Sequence, residues 1–158
     1  MGLFRRSRDK KIDPPAPAQP RPEQDDVQDL IGSLLEQGAQ FAAEHRLGSS
    51  SEEVARADSI LQEALDANPS DEDKTRLHRR LTGYLYGSVI ENFPNFTFIT
   101  GAPDNPVAML VGDQDNGVQV LGWSKVQGRI DNGPEDHLQF FYDGIARYLD
   151  QPGIHTLM

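Results

Sequence analysis

The 158-residue chain has no cysteine, one tryptophan and three methionines. Without thiols it can hold no disulfide, no thiolate zinc or iron–sulfur site and no cysteine nucleophile. That absence carries no information about compartment. Long apolar runs are missing too. No stretch approaches the roughly 18 residues that span a bilayer. Leu3 and Phe4 are followed at once by Arg5 and Arg6, so the first residues lack the apolar core of a secretory leader. Hydrophobic residues make up only 37% of the chain and mean hydropathy is -0.58. These values suit a domain carrying a disordered extension.

The net charge of -10 is unevenly spread. Residues 1–22 hold six basic and two acidic residues, against nine basic and 23 acidic in the remainder. So acidic a body does not bind nucleic acid through its bulk surface, because phosphate contacts need clustered Lys and Arg. MGLFRRSRDKK is expected to be a solvated, disordered tail. The competing expectation is weak docking on an anionic membrane through Leu3, Phe4, Arg5, Arg6 and Arg8, worth about 1 kcal/mol per basic residue. Gly2 does not mark myristoylation, since Arg6 stands where Ser or Thr is required. Asp13–Pro22, with five prolines in ten residues, is a polyproline-type spacer. Residues 1–22 are therefore expected to form an arm, 23–152 a single domain and 153–158 a frayed tail.

Helical periodicity begins after the spacer. Val27, Leu30, Ile31, Leu34, Leu35, Phe41 and Ala42 recur at helical spacing from Asp25 or Asp26 to Leu47, with Gly38 on the stripe and Gly48 as the expected stop. Ser50 and Glu53 have capping-box spacing, and a second helix should run to about Ala67. Its ADSILQEALDANP string is similar to the second helix of a tetratricopeptide repeat, but no second copy follows, and a helical hairpin explains it equally well. Ser70 or Asp71 caps a third helix, which ends at Phe93-Pro94. Its stretch Leu77–Glu91 is apolar nearly all round, which marks a helix surrounded by other elements. Gly83 and Gly87 lie one turn apart there, each costing about 1 kcal/mol relative to Ala. Both are expected to admit a neighbouring backbone, from the sheet or the first helix, so that Gly87→Leu would unfold the domain. His78 is expected to face solvent.

Alternation then replaces helical spacing. Asn95–Thr100, Pro106–Gly112 and Gly117–Trp123 are expected to form a three-stranded antiparallel meander lying on the third helix, since their connections are too short for crossovers. A short helical piece, SKVQGRI, follows. Pro134 then opens a last helix, with Leu138, Phe141, Tyr142, Ile145 and Leu149 on one face. The fold class is thus α+β: N-terminal helices and a central glycine-marked helix packed on the meander, closed by a C-terminal helix.

Catalytic chemistry is thinly signalled. Asp113, Asp115 and Gly117 match the start of a calcium loop, but Ser124 occupies the place of the twelfth-position Glu, and Asp-Asn-Gly equally suits a hairpin. GAPDNPV lacks the lysine and following helix of a phosphate loop. None of His45, His78, His137 and His155 sits in a nucleophile motif. His137, beside Asp136 at a helix start, is the best placed for a neutral base. No cofactor or metal is expected. Tyr84, Tyr86, Trp123, Phe140 and Tyr142 are candidates for a binding groove, being interface-enriched types, though core packing accounts for such residues as well. Adjacent Phe140 and Phe141 cannot share one helical face, so one of them should lie outside the core.

Two stretches resemble a family of uncharacterised small bacterial α+β domains. Gly83-Tyr-Leu-Tyr-Gly-Ser-Val-Ile90 is similar to that family's "GAYLGEVI" helix. Ser124–Leu138 with Phe141-Tyr142 is similar to its "SKVxKRxxNGxEDSLxxFY" segment. Ser88, Gly128 and His137 depart from the pattern, replacing a Glu, a basic residue and a Ser. The resemblance covers about Leu77 to Leu149 and implies helices against a small sheet, with no established reaction and mild support for an accessory, binding role. The resulting expectation is a non-catalytic protein-binding or adaptor protein of the bacterial cytoplasm, its partner another protein. A small hydrolase using carboxylates with His137 is the alternative, and peripheral membrane attachment through the basic tail a further one.

Overall fold

The computed structural model describes residues 24–100 and 103–158. The arm of residues 1–22, with Leu3, Phe4, Arg5, Arg6 and Arg8, lies outside the described residues. In chain order the elements are α1 (Gln24–His45), α2 (Ser51–Asp66), α3 (Asp71–Asn92), β1 (Phe96–Thr100), β2 (Val107–Gly112), β3 (Gly117–Val120) and α4 (Gly122–Asn132). A 3-10 turn at Pro134–Asp136, α5 (Leu138–Leu149) and β4 (Ile154–Leu157) complete the chain.

Local chemistry sets most of the helix ends. The Ser50 hydroxyl accepts from the Glu53 amide at 3.3 Å and the Ser70 hydroxyl from the Asp73 amide at 3.2 Å, each capping the helix that follows. The Glu53 carboxylate turns to the Gly48 N–H at 3.2 Å, fixing the α1–α2 loop. α1 does not stop at Gly48. Arg46 takes the left-handed conformation (φ 52°), the Leu47 N–H donates to Ala42 O at 2.9 Å and the Arg46 N–H reaches Ala43 O at 3.4 Å. That is a Schellman ending built on arginine. Phe93, extended before Pro94, closes α3.

The sheet is mixed and four-stranded, in the order β1-β2-β3-β4, where a three-stranded antiparallel meander was expected. β1–β2 and β2–β3 are antiparallel, with Phe98 opposite Met109 and Val111 opposite Val118. The expected frayed tail is instead β4, which pairs in parallel with β3 and places His155 beside Val118 and Leu157 beside Val120. The parallel return is possible because α4 and α5 form the crossover. Trp123 is consequently on α4, one residue past its start, and not at a strand end.

Val107, Met109, Val111, Val118 and Val120 are buried on one sheet face, and that face is covered by α4 and α5. Tyr86 carries α3 to the sheet: its ring meets Phe98 edge-on at 6.1 Å and its hydroxyl donates to Val107 O at 2.6 Å. α3 packs chiefly along α1 and α4, and α2 lies mainly on α5, so α1 and α2 do not form the expected hairpin. α3 is buried through its middle: every residue from Leu81 to Tyr86 is buried. His78 is also buried, at 4% exposure, because α4 covers it, and its Nε2–H donates to Trp123 O at 2.8 Å.

Gly83 and Gly87 behave differently. A Cβ on Gly83 would overlap the carbonyl of Leu34 and approach Gly38 N to 3.0 Å; a Cβ on Gly38 would overlap the Gly83 carbonyl carbon in return. The two glycines are the α1–α3 crossing. Over Gly87 no atom of another described element lies within 4 Å of the Cβ position. Among the described residues no backbone presses on Gly87, so the expected packing reason for Gly87→Leu to unfold the chain falls away.

Candidate functional site

The open position over Gly87 belongs to a groove of about 520 Å³ between α1, α3 and the α1–α2 loop. Such a volume is in the range of ligand sites. The close α1–α3 crossing at Gly38 and Gly83 forms one end, and beyond it the helices leave space lined by small residues. Ala39 and Ala42 line it from α1, Gly87 and Ser88 from α3, and Leu35, Leu47, Ile90 and Tyr84 supply its larger apolar surface. Glu91, exposed, is the one charged residue in the lining. No ion-pair partner for it is found among the described residues.

The far wall is the Gly48–Ser49 backbone, held from three sides. The Tyr84 hydroxyl donates to Gly48 O at 2.9 Å, Asn92 Nδ2 donates to Ser49 O at 2.8 Å, and the Tyr142 hydroxyl lies 3.0 Å from Ser49 O while accepting from Asn92 Nδ2 at 2.9 Å. Burial pushes the Tyr84 phenol up to about 12 and raises that of Tyr142, so both stay protonated donors. The wall is therefore preorganised, and the groove offers shape and apolar surface with few free polar groups.

The five aromatic residues singled out from sequence do not share one site. Tyr84 lines the groove and Tyr142 braces its wall from behind. Tyr86 is buried between α3, Val107 and the start of α4, where its hydroxyl accepts from the Trp123 N–H at 3.3 Å and burial pushes it up to about 12. Trp123 stands edge-on to His78 at 4.3 Å and borders a separate depression with Asp104, Ser124 and Asp131. Phe140 is 70% exposed with the Arg147 guanidinium 5.4 Å from its ring, whereas Phe141 is buried. Sequence reasoning missed Leu35, Ala39, Ala42, Leu47, Ile90 and Glu91. The one available signal was a pair of helical glycines, Gly38 and Gly83, on two different helices.

His137 caps α5. Its Nδ1 accepts from the Gln139 amide at 3.2 Å, and its Nε2 lies 3.5 Å from Asp58 Oδ2. Asp58, 3% exposed, is a structural hub. It accepts from Arg129 Nε and Nη2 at 3.0 Å each and from the Leu138 amide at 3.0 Å. Arg129 is 1% exposed; its Nη2 also donates to Gln62 at 2.9 Å, and its Nη1 has no partner among the described residues. Nearby, Asn132 and Lys125 hold Asp136 at 3.0 Å each, lowering its carboxyl from the ordinary value. Gly133 adopts φ 93°, ψ -159°, a region open essentially to glycine alone. Within the Ser124–Leu138 segment, Lys125, Arg129, Asn132 and Asp136 build the α4–α5 corner, while Ser124 bonds Asn105 in the β1–β2 loop.

At Asp113–Gly117 the Asp113 carboxylate accepts from the Asp115 and Asn116 amides at 2.9 and 2.7 Å, closing the β2–β3 hairpin. No group of three potential metal-ligating side chains occurs among the described residues. No helix among them is long and apolar enough to cross a membrane. Comparison with family models, with curated proteins and with solved structures found no match to the chain.

Proposed function

We propose that the chain is a non-catalytic protein-binding or adaptor protein whose α1–α3 groove receives an apolar segment of a partner protein. The carrying observation is the open position over Gly87, on the floor of a preformed apolar groove of about 520 Å³. A helical glycine costs about 1 kcal/mol relative to Ala, and here no neighbouring backbone among the described residues requires it. What the glycine supplies is room. The fixed Gly48–Ser49 wall supports this reading, because a groove already shaped loses little entropy on binding. Membership of the small bacterial domain family, and action in the cytoplasm, belong to the same proposal.

The test is selection of binders from a displayed peptide library on the full chain, followed by affinity measurement on Gly87→Leu. Leucine at this position projects into the groove, so the variant is expected to stay folded and to lose binding by at least about tenfold. Failure to recover any saturable binder, or binders indifferent to Gly87→Leu, would refute the reading.

A further inference from the structure

We propose that the groove is occupied in cis by the chain's own Leu3-Phe4-Arg5-Arg6 segment, so that a partner must displace it; this rests on the groove being a protein-binding site. The first argument is chemical. The groove presents apolar walls and a single exposed carboxylate, Glu91, and Leu3-Phe4 followed by Arg5-Arg6 pairs two large apolar side chains with two cations. Charge favours the same match, since residues 1–22 carry six basic against two acidic residues and the rest nine against 23.

The second argument is the track along α1. Gly32 is exposed in mid-helix, and no described atom lies within 4 Å of its Cβ position. At 100° per residue it falls on the same side of α1 as Leu35 and Ala39, one turn and two turns further along. Like Gly87, it incurs the helical glycine cost of about 1 kcal/mol without a described neighbour to explain it. Gly32 lies between the start of α1 and Leu35, the first groove residue of that helix.

The third argument is reach. Phe4 precedes Gln24 by 20 residues, or about 60 Å if extended at about 3.1 Å per residue. Leu35 and Ala42 lie about 16 to 27 Å along α1 at 1.5 Å per residue. That contour length exceeds the span to the groove. A short tether holds its segment at about millimolar effective concentration, so an intrinsic affinity of about 0.1 mM would fill the groove roughly nine-tenths of the time and weaken a competitor about tenfold.

Because the chain has no cysteine, Ser7→Cys takes a single nitroxide in the full-length protein. Expected are amide signals of Gly32, Ala39, Gly87 and Glu91 broadened at least about twofold more than those of Gln119 and Thr156. That contrast should vanish in Leu3→Asp/Phe4→Asp, and groove-binding peptides should bind this double variant about tenfold more tightly. Absence of selective broadening, with equal peptide affinity for both forms, overturns cis occupancy and leaves the partner site standing. Label contact only with phosphatidylserine vesicles, the groove amides unperturbed, overturns it in favour of membrane docking. If no peptide binds either form, the partner reading falls and the displacement proposal with it.

Discussion

Gly83 and Gly87 lie one turn apart on α3, and the same change, Gly to Ala, should act on them with opposite sign. In a bare helix each substitution would gain about 1 kcal/mol. At Gly83 the added Cβ falls within the carbonyl of Leu34, 2.6 Å from its carbon and 3.0 Å from Gly38 N. These are α1 backbone atoms, not flexible side-chain ends, so relief requires α1 and α3 to separate. Ile31, Leu34 and Phe41 on α1 and Tyr84 and Leu85 on α3 are packed in the core there. Overpacking a core, backbone shifts included, typically costs about 1–3 kcal/mol and occasionally more, so Gly83→Ala should destabilise by up to about 2 kcal/mol net of the helical gain. At Gly87 no described atom lies within 4 Å, leaving the gain of about 0.5–1 kcal/mol. Urea unfolding followed by circular dichroism measures both as shifts in midpoint at constant slope. Equal shifts of the same sign would refute the assignment of one glycine to the crossing and the other to the groove.

Three further outcomes follow from the fold. Asp58→Ala strands the buried Arg129 guanidinium and should cost about 3–5 kcal/mol, whereas an apolar Asp58→Leu/Arg129→Met pair should cost far less; denaturant midpoints of the two variants decide it. His78 lies below its ordinary value of 6.5 because burial disfavours the imidazolium, the bond to Trp123 O partly opposing. The unfolded chain therefore binds a proton near pH 6.5 that the folded chain refuses until lower pH. Stability should fall between 6.5 and that folded value, at up to about 1.4 kcal/mol per pH unit, and level off below it. His78→Gln should remove that component from the stability–pH curve, and an unchanged difference between pH 7 and pH 5 would refute it. Ending the chain after Pro152 removes Gly153 O and Leu157 O, which accept from the Gly117 and Leu121 amides at 3.2 and 3.0 Å; those amides should lose hydrogen-exchange protection, and retained protection would refute the pairing of β4.

Features carried by neighbours in sequence were readable before the structure. The Ser50 and Ser70 caps, the Phe93-Pro94 exit and the β2–β3 turn each depend on a few adjacent residues, and each lies where local chemistry puts it. Features carried by distance were not. Ile154–Leu157 is a four-residue strand after Pro-Gly in a polar setting, and only the α4–α5 crossover brings it beside β3. His78 sits among arginines on α3, and its burial comes from α4, 45 residues later. Asp58 looked like any polar residue of an amphipathic helix because Arg129, its partner, is 71 residues away. The groove shows the same limit. Spacing placed Gly83 and Gly87 on one face, but which of them another backbone approaches depends on where α1 crosses.

The central claim is that the space over Gly87 is a binding site and not an incidental gap, and Gly87→Leu tests it most directly. The variant's melting temperature and its affinity for library-selected peptides should be measured on one preparation of the full chain. The account predicts a melting temperature at or above that of the parent and peptide affinity reduced at least about tenfold. A variant that melts as predicted and binds the peptides unchanged would contradict it.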